Sequence, residues 1–329
     1  MSTVRDWLSH YWVLMPVKIV VVLLVFLTIP LLVGYMEHKV MAHMQARVGP
    51  MEAGRFHGVL QLVADGIKFV QKENIVPRAA DKWVFALAPA VALVPTILLF
   101  GFLPYGPNLV PVHSDVGLFV VLALGSVSVI GTLMAAWSSA NKYSLMGGVR
   151  AAAQLIAYEL PLVLAAAAVA MQAGSANLAV IVERQDTVWN IVYPWHWFAF
   201  FIFGAAALAE LTRPPFDMPV ADSELVFGHL TEYTGLRFAL FLLTEYAGIV
   251  VQSAIAATLW FGGYKGFIVP SGPWWLLLKV LALSFVVIWL RSTYPRLRED
   301  QLQSFAWLRL VPVSLLLILV VGFVKVGFQ

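Results

Sequence analysis

Eight stretches of roughly 20 mostly apolar residues, at about 15–36, 84–103, 116–137, 153–172, 194–211, 237–262, 274–290 and 309–326, constrain this chain more than any other feature. Each is long enough to cross the hydrocarbon core of a bilayer as a helix. The expected fold is all-α: a polytopic integral membrane protein with eight transmembrane helices, forming a single membrane domain over 1–329. Composition agrees, since 61% of residues are apolar and 12% charged, against about 25% charged in an ordinary soluble domain. The first stretch begins at Tyr11-Trp12-Val13 and runs into Glu37-His38-Lys39 without the small-residue pattern of a cleaved signal, so a retained helix is expected.

Most of the 21 Lys and Arg residues fall in the first, third, fifth and seventh loops, and the positive-inside rule makes these loops cytoplasmic. An even number of spans then puts both termini on the outer side. The long cytoplasmic loops are expected at 38–83, 212–236 and 291–308. The outer loops, such as Pro104-Tyr105-Gly106-Pro107, are short and rich in turn residues, with Gly174–Tyr193 the exception. No internal repeat, low-complexity tract or linker divides the chain.

The first cytoplasmic loop is too long for a simple hairpin, and it carries a helical pattern. Phe56, Val59, Leu60, Val63, Ile67 and Val70 share one face, while Gln61, Asp65, Lys68 and Lys72 form a polar stripe. This predicts an amphipathic helix over about 56–72, either lying in the interface plane or packing against the bundle.

With no cysteine, the chain cannot hold an iron–sulfur cluster through thiolates, form a disulfide or attach haem through Cys-x-x-Cys-His. Its seven histidines are scattered, and no nucleotide-binding glycine loop, metal-binding His pair or Ser–His–Asp set is visible. No metal site is expected, and any redox centre must belong to a partner.

Carboxylates within a membrane helix cost about 2.5–3.5 kcal/mol on insertion scales and mark ion or proton pathways when they occur. Glu159 stands near one end of the fourth stretch, Glu210 closes the fifth, and Glu245-Tyr246 lies two turns into the sixth. The loop between the last two is acidic, from Glu210 through Arg213, Asp217, Asp222 and Glu224 to Glu232-Tyr233. Closely spaced carboxylates raise one another's pKa, so such a chain can hold and pass protons near neutral pH, with Tyr158, Tyr233 and Tyr246 able to extend it. Lys279, inside the seventh stretch, is expected to snorkel towards the outer surface.

Four blocks of the inner loops resemble the quinone-site membrane component of respiratory NADH:quinone oxidoreductases, complex I. They are Glu37-His38-Lys39 with Gln45-Ala46-Arg47-Val48-Gly49-Pro50 and Leu60–Lys68; Trp137–Leu145 continuing to Tyr158-Glu159; Glu210–Asp217 continuing to Glu245-Tyr246; and Tyr294–Leu302. The sequence departs from the family pattern at His38 and Met51, at Thr212, and at Glu299. It also departs in the acidic run, where Pro219-Val220-Ala221-Asp222-Ser223-Glu224 lacks one carboxylate and shortens another.

The resemblance implies a long quinone as substrate, entering sideways from the lipid and reduced at the junction with peripheral quinone-site subunits. Electrons would come from NADH through the FMN and iron–sulfur clusters of those partners; no cofactor is expected on this chain. Residues expected to position quinone are Glu37, Arg47, Asp65, Lys68, Arg213, Phe216, Asp217, Arg296 and Arg298. A proton relay towards small and antiporter-like membrane subunits is expected from Tyr158, Glu159, Glu210, Asp222, Glu224, Glu232, Tyr233, Glu245 and Tyr246, with Val220 excluded. The expected location is a bacterial inner membrane, with lipid around the chain and no nucleic-acid partner. Two other readings share the buried acids: the membrane anchor of an energy-converting hydrogenase, and a stand-alone ion transporter, against which the lack of an internal repeat counts.

Overall fold

In the computed structural model, the backbone is described for residues 2–54, 56–107, 109–186, 188–220, 222–266 and 270–327; the side chains of 2–11, 13, 222 and 223 lie outside the description. The regular elements among the described residues are all helices, joined by turns and loops. They are α1 (Ser2–Met44), α2 (Gln61–Gln71), α3 (Lys82–Phe102), α4 (Gly117–Ser138), α5 (Lys142–Ala173), α6 (Leu178–Glu183), α7 (Pro194–Glu210), α8 (Asp222–Leu225), α9 (Gly235–Trp260), α10 (Pro273–Thr293), α11 (Glu299–Phe305) and α12 (Val311–Gly327). Short 3₁₀ turns occupy Asn190–Val192 and Gly228–Leu230, and a π-helical turn over Ala306–Leu310 joins α11 to α12.

Among the described residues, seven helical segments, rather than eight, are long and apolar enough to cross a membrane: Leu14–Met44, α3, α4, α5, α9, α10 and the continuous Glu299–Gly327. The chain is a multi-pass membrane protein. The remaining expected span, α7, has 17 residues. At 1.5 Å per residue it is about 26 Å long, a little short of the ~30 Å core.

Several helices run past the expected boundaries. The first continues to Met44, so Glu37 and Lys39 ride on a helix and not in a loop. Helix α5 starts eleven residues before the expected 153, at an Asn141 cap whose side chain accepts the Tyr143 N–H at 2.9 Å. Consequently Glu159 is mid-helix instead of near an end. The expected loop over 291–308 shrinks to 294–298, because α10 runs to Thr293 and α11 begins at Glu299. Polar residues at these ends continue the helices because the backbone, once out of hydrocarbon, still gains one hydrogen bond per residue by extending an existing helix.

Helices α5 and α9 form the centre. Ala165, Ala166, Ala168 and Val169 of α5, and Ile249, Ala257, Leu259 and Trp260 of α9, have no accessible surface. Small residues let backbones approach here: a Cβ on Gly131 of α4 would fall 2.5 Å from the Ala92 nitrogen of α3. The outer faces of α1 and α12 expose Leu24, Leu316, Leu319 and Phe323, and Trp83, Trp137 and Trp274 stand exposed at helix ends, as interfacial aromatics do.

The amphipathic helix is shorter than expected, α2 starting at Gln61 after turns over 56–60, and it turns a different, half-buried face to the bundle. Val63, Ile67 and Val70 are exposed, whereas Leu62 reaches Gly34 of α1 and Phe69 meets Phe238 of α9. The helix packs on the bundle through α1 and α9. Lys279 does not snorkel. It is 8% exposed, and its Nζ donates to the carbonyl oxygens of Phe261 (2.6 Å), Gly263 (2.8 Å) and Lys265 (2.6 Å) while sitting over the Trp189 ring. Three carbonyls of the turn that follows α9 supply what water would otherwise give the ammonium.

Candidate functional site

The loop after α7 folds back into the bundle, burying Arg213, Phe216 and Met218. Arg213 reaches two helices at once. Its Nη1 donates to Glu37 Oε1 at 2.8 Å and Oε2 at 3.0 Å on α1, and its Nε lies 2.7 Å from Glu245 Oε1 on α9. Its guanidinium also lies over the Tyr246 ring, 5.2 Å from the centroid. Arg291, at the end of α10, makes a second ion pair with Glu37. Two arginines and two carboxylates thus balance in a place where Glu37 is 4% and Arg213 3% exposed. Burial works against the Arg213 charge, but Glu245 and Glu37 outweigh it and hold the guanidinium above its ordinary pKa.

Next to this cluster lies a cavity of about 140 Å³ between α3, α4, α5, α7 and α9. Its walls include Glu159, Glu210 and Glu245, with Thr96, Ser128, Thr132, Gln252 and His229. Ser126 donates to Glu159, and Gln252 Nε2 donates to Glu210 Oε2 at 2.6 Å. A Cβ on Gly125 would stand 3.1 Å from Glu210 Oε1, so glycine there gives the carboxylate room. The space suffices for several waters, and its polar walls give them partners. Glu245 belongs to both features, pairing with Arg213 and lining the cavity.

The structure therefore brings together Glu37 and Arg213, expected at the quinone, with Glu245 and Tyr246, expected in the relay. Glu159 and Glu210, also expected in the relay, share the cavity with Glu245, whereas the other expected residues lie elsewhere. Arg150 draws Glu224 (2.8 Å) and Glu299 (3.5 Å) into a half-exposed network that Arg296 joins at 3.3 Å from Glu224. Its hydrogen bond from Arg150, with Arg296 nearby, holds the Glu224 carboxyl below its ordinary pKa. Arg298 pairs with Asp300 on the surface at 2.5 Å, Lys68 with Asp65 at 3.4 Å along α2, and Arg47 donates to Gln45 at 2.8 Å.

The Tyr158 hydroxyl donates to the Leu302 carbonyl at 2.9 Å and that of Tyr233 to the Phe85 carbonyl at 3.1 Å; neither residue lines the carboxylate cavity. Glu232 accepts from Asn141 at 2.6 Å. Asp217 is half-buried in the loop after α7. Asp222 falls outside the described side chains. Phe216 packs against Tyr158 and lines a second, apolar cavity of about 960 Å³ between α7, α9 and α10, which shares Leu211 and Gln252 with the first.

Sequence reasoning missed Arg291, Gln252, Ser126 and His229. Gln252 was readable: Glu245, Gly248 and Gln252 follow i, i+3, i+7 along one face of α9, and all three line the cavity. Arg291 had no such signal, since a basic residue ending an apolar helix is ordinarily an interfacial anchor. Among the described residues, no group of three or more His, Asp or Glu is placed to hold a metal ion.

A family model described as NADH dehydrogenase matches residues 17–322. Relatives similar over most of the chain include the NADH-quinone oxidoreductase H subunit of Dehalococcoides mccartyi (strain CBDB1), 42% identical over 316 residues, covering 96% of this chain and 88% of the relative. That of Geobacillus kaustophilus (strain HTA426) is 44% identical over 313 residues, covering 93% and 92%. That of Syntrophotalea carbinolica (strain DSM 2380 / NBRC 103641 / GraBd1) is 43% identical over 317 residues, covering 94% and 95%.

Proposed function

Because the chain belongs to the NADH dehydrogenase family that contains the H subunits of NADH-quinone oxidoreductases, we propose that it is the quinone-site membrane subunit of a proton-pumping NADH:quinone oxidoreductase in a bacterial cell membrane. Quinone is its substrate. Peripheral partner subunits carry the FMN and iron–sulfur clusters that deliver electrons, and small and antiporter-like membrane subunits receive the coupling signal. The loops bearing most of the basic residues face the cytoplasm.

The observation that carries this reading is the double membership of Glu245. Where α1, α2 and α9 converge, Leu62 and Tyr246 both approach Gly34, and the Glu37–Arg213–Glu245 cluster lies beside Tyr246. A quinone tail needs an apolar route and its headgroup a few charges; this junction offers both. Anionic character developing on a headgroup near Arg213 competes with Glu245 for the guanidinium. Glu245, losing its counter-charge, takes up a proton and passes the change to Glu159 and Glu210 across the cavity. Buried charges make that exchange sensitive, because a carboxylate in a low-dielectric site does not remain unpaired cheaply.

The test uses the assembled complex in membranes. Glu210→Gln and Asp217→Asn are each expected to lower NADH-driven quinone reduction at least tenfold, in the range of lost acid–base groups (about 10²–10⁴) or below it. Wild-type rates in both variants would refute the site assignment. An assembly that evolves hydrogen instead of reducing quinone would replace the reading with that of a hydrogenase anchor.

A further inference from the structure

We infer that His229 is a proton-carrying member of the carboxylate cavity, serving in space the place that Val220 does not serve in the acidic run. The inference rests on the relay reading above and adds a residue to it. His229 sits in the 3₁₀ turn Gly228–Leu230, is 8% exposed, and lines the same cavity as Glu159, Glu210 and Glu245. Its Nδ1 is sealed from bulk solvent and has no hydrogen-bond partner among the described residues. A buried ring nitrogen in that condition beside a polar cavity calls for water within the cavity.

Val220 lines this cavity too. The two segments are in contact: Gly228 packs so closely on Pro219 that a Cβ there would overlap the Pro219 carbonyl oxygen, and Gly147 of α5 closes on both. Gly228, at φ +52°, allows the turn to come this near. The run that elsewhere in the family carries a carboxylate at this position therefore has, in this chain, an imidazole alongside it.

Among the described residues, the charged and titratable groups facing the cavity with His229 are Glu159 from α5, Glu210 from α7 and Glu245 from α9; α3 and α4 contribute the hydroxyls of Thr96, Ser128 and Thr132, and no described Lys or Arg lines it. Phe241 covers the imidazole, its ring centroid 5.9 Å away. Burial pulls the His229 pKa down to about 4, so the ring rests neutral, with one nitrogen protonated and the other free. A proton taken from water on the free nitrogen and one released from the other to a cavity water or carboxylate return the ring to neutrality, without a lasting buried charge.

In the assembled complex, His229→Gln keeps polarity and approximate size but cannot titrate. It should lower NADH-driven proton translocation about tenfold and flatten its pH profile, a smaller loss than for a sole acid–base group because three carboxylates remain. His229→Phe, which extends the Phe241 wall, should do the same, and adding Val220→Glu to either should restore most of the rate. In the otherwise unaltered protein, Val220→Glu should move the acid limb of the pH profile upward, since a carboxylate beside the imidazole favours its protonated form.

A wild-type rate and profile in His229→Gln, or a loss that is independent of pH and not rescued by Val220→Glu, would overturn the inference. So would an unmoved acid limb in Val220→Glu. Glu210→Gln measured in parallel separates the two levels. If it is impaired while the His229 variants are normal, only His229 drops out; if it too is normal, the relay reading itself fails.

Discussion

Glu37 holds two arginines in a site from which water is nearly excluded, and neutralising it gives a quantitative test of the cluster. In Glu37→Met, Arg213 keeps Glu245, but Arg291 loses its ion pair, and the Arg213 side chain is only 4% exposed. Breaking a buried pair from one side costs about 3–5 kcal/mol. Because Arg213 retains one partner and Arg291 is about a third exposed, the lower end, about 3 kcal/mol, is expected. Arg213→Met leaves Glu37 with Arg291 and Glu245 without its arginine, and a similar cost follows. At about 1.4 kcal/mol per decade, each variant should inactivate about a hundredfold faster at a fixed temperature. The double variant Glu37→Met/Arg213→Met replaces the pair with apolar side chains, which is often near neutral. It should therefore be no worse than either single change, giving a coupling of about 3 kcal/mol in the double-mutant cycle. Thermal inactivation of the purified complex, followed by quinone reductase activity and by retention of the subunits, measures the four corners. Additive effects would refute the argument, because they would mean the two side chains are independently solvated.

Three further predictions follow from other parts of the fold. Lys279→Met strips three carbonyls of their donor and should speed amide hydrogen exchange over residues 261–265 at least tenfold, since unsatisfied buried polar groups cost about 1–3 kcal/mol each; unchanged exchange would show that those carbonyls find other partners. Gly131→Leu should prevent α3 and α4 from packing and abolish accumulation of the assembled complex, detectable on native gels. His229 has a pKa depressed by burial from 6.5 to about 4, so its contribution to stability is full above pH 6.5 and is lost as pH falls towards 4, by roughly 3 kcal/mol at most. Thermal inactivation profiles should steepen over that window, and His229→Phe should make them shallower there.

What the sequence determined by itself was the solvent of the protein and the chemistry of its loops. Runs of about 20 apolar residues have few ways to satisfy their backbones in hydrocarbon other than as helices, so the helical class and most span centres could be read directly. The unusual carboxylates could also be read, because Glu159 and Glu245 stand within apolar stretches where insertion disfavours them. Helix ends were less legible. Glu37, Arg150 and Glu299 lie on helices that extend beyond the hydrophobic runs, and hydropathy does not register a helix once it leaves lipid.

The partners of those residues were decided only by the tertiary structure. Arg213 and Glu37 are 176 residues apart, and Arg291 and Glu37 are 254 apart; no local periodicity links them. The same holds for the face of α2 that turned inward with Leu62 and Phe69 while Val63, Ile67 and Val70 turned outward, because α1 and α9 present Gly34 and Phe238 at that contact. Packing likewise decided where the hydroxyls of Tyr158 and Tyr233 point, each donating to a backbone carbonyl of a segment far along the chain. The eight apolar stretches set the number and kind of elements available; which carboxylates share a cavity, and which arginine joins two helices, depended on close packing between segments far apart in the chain.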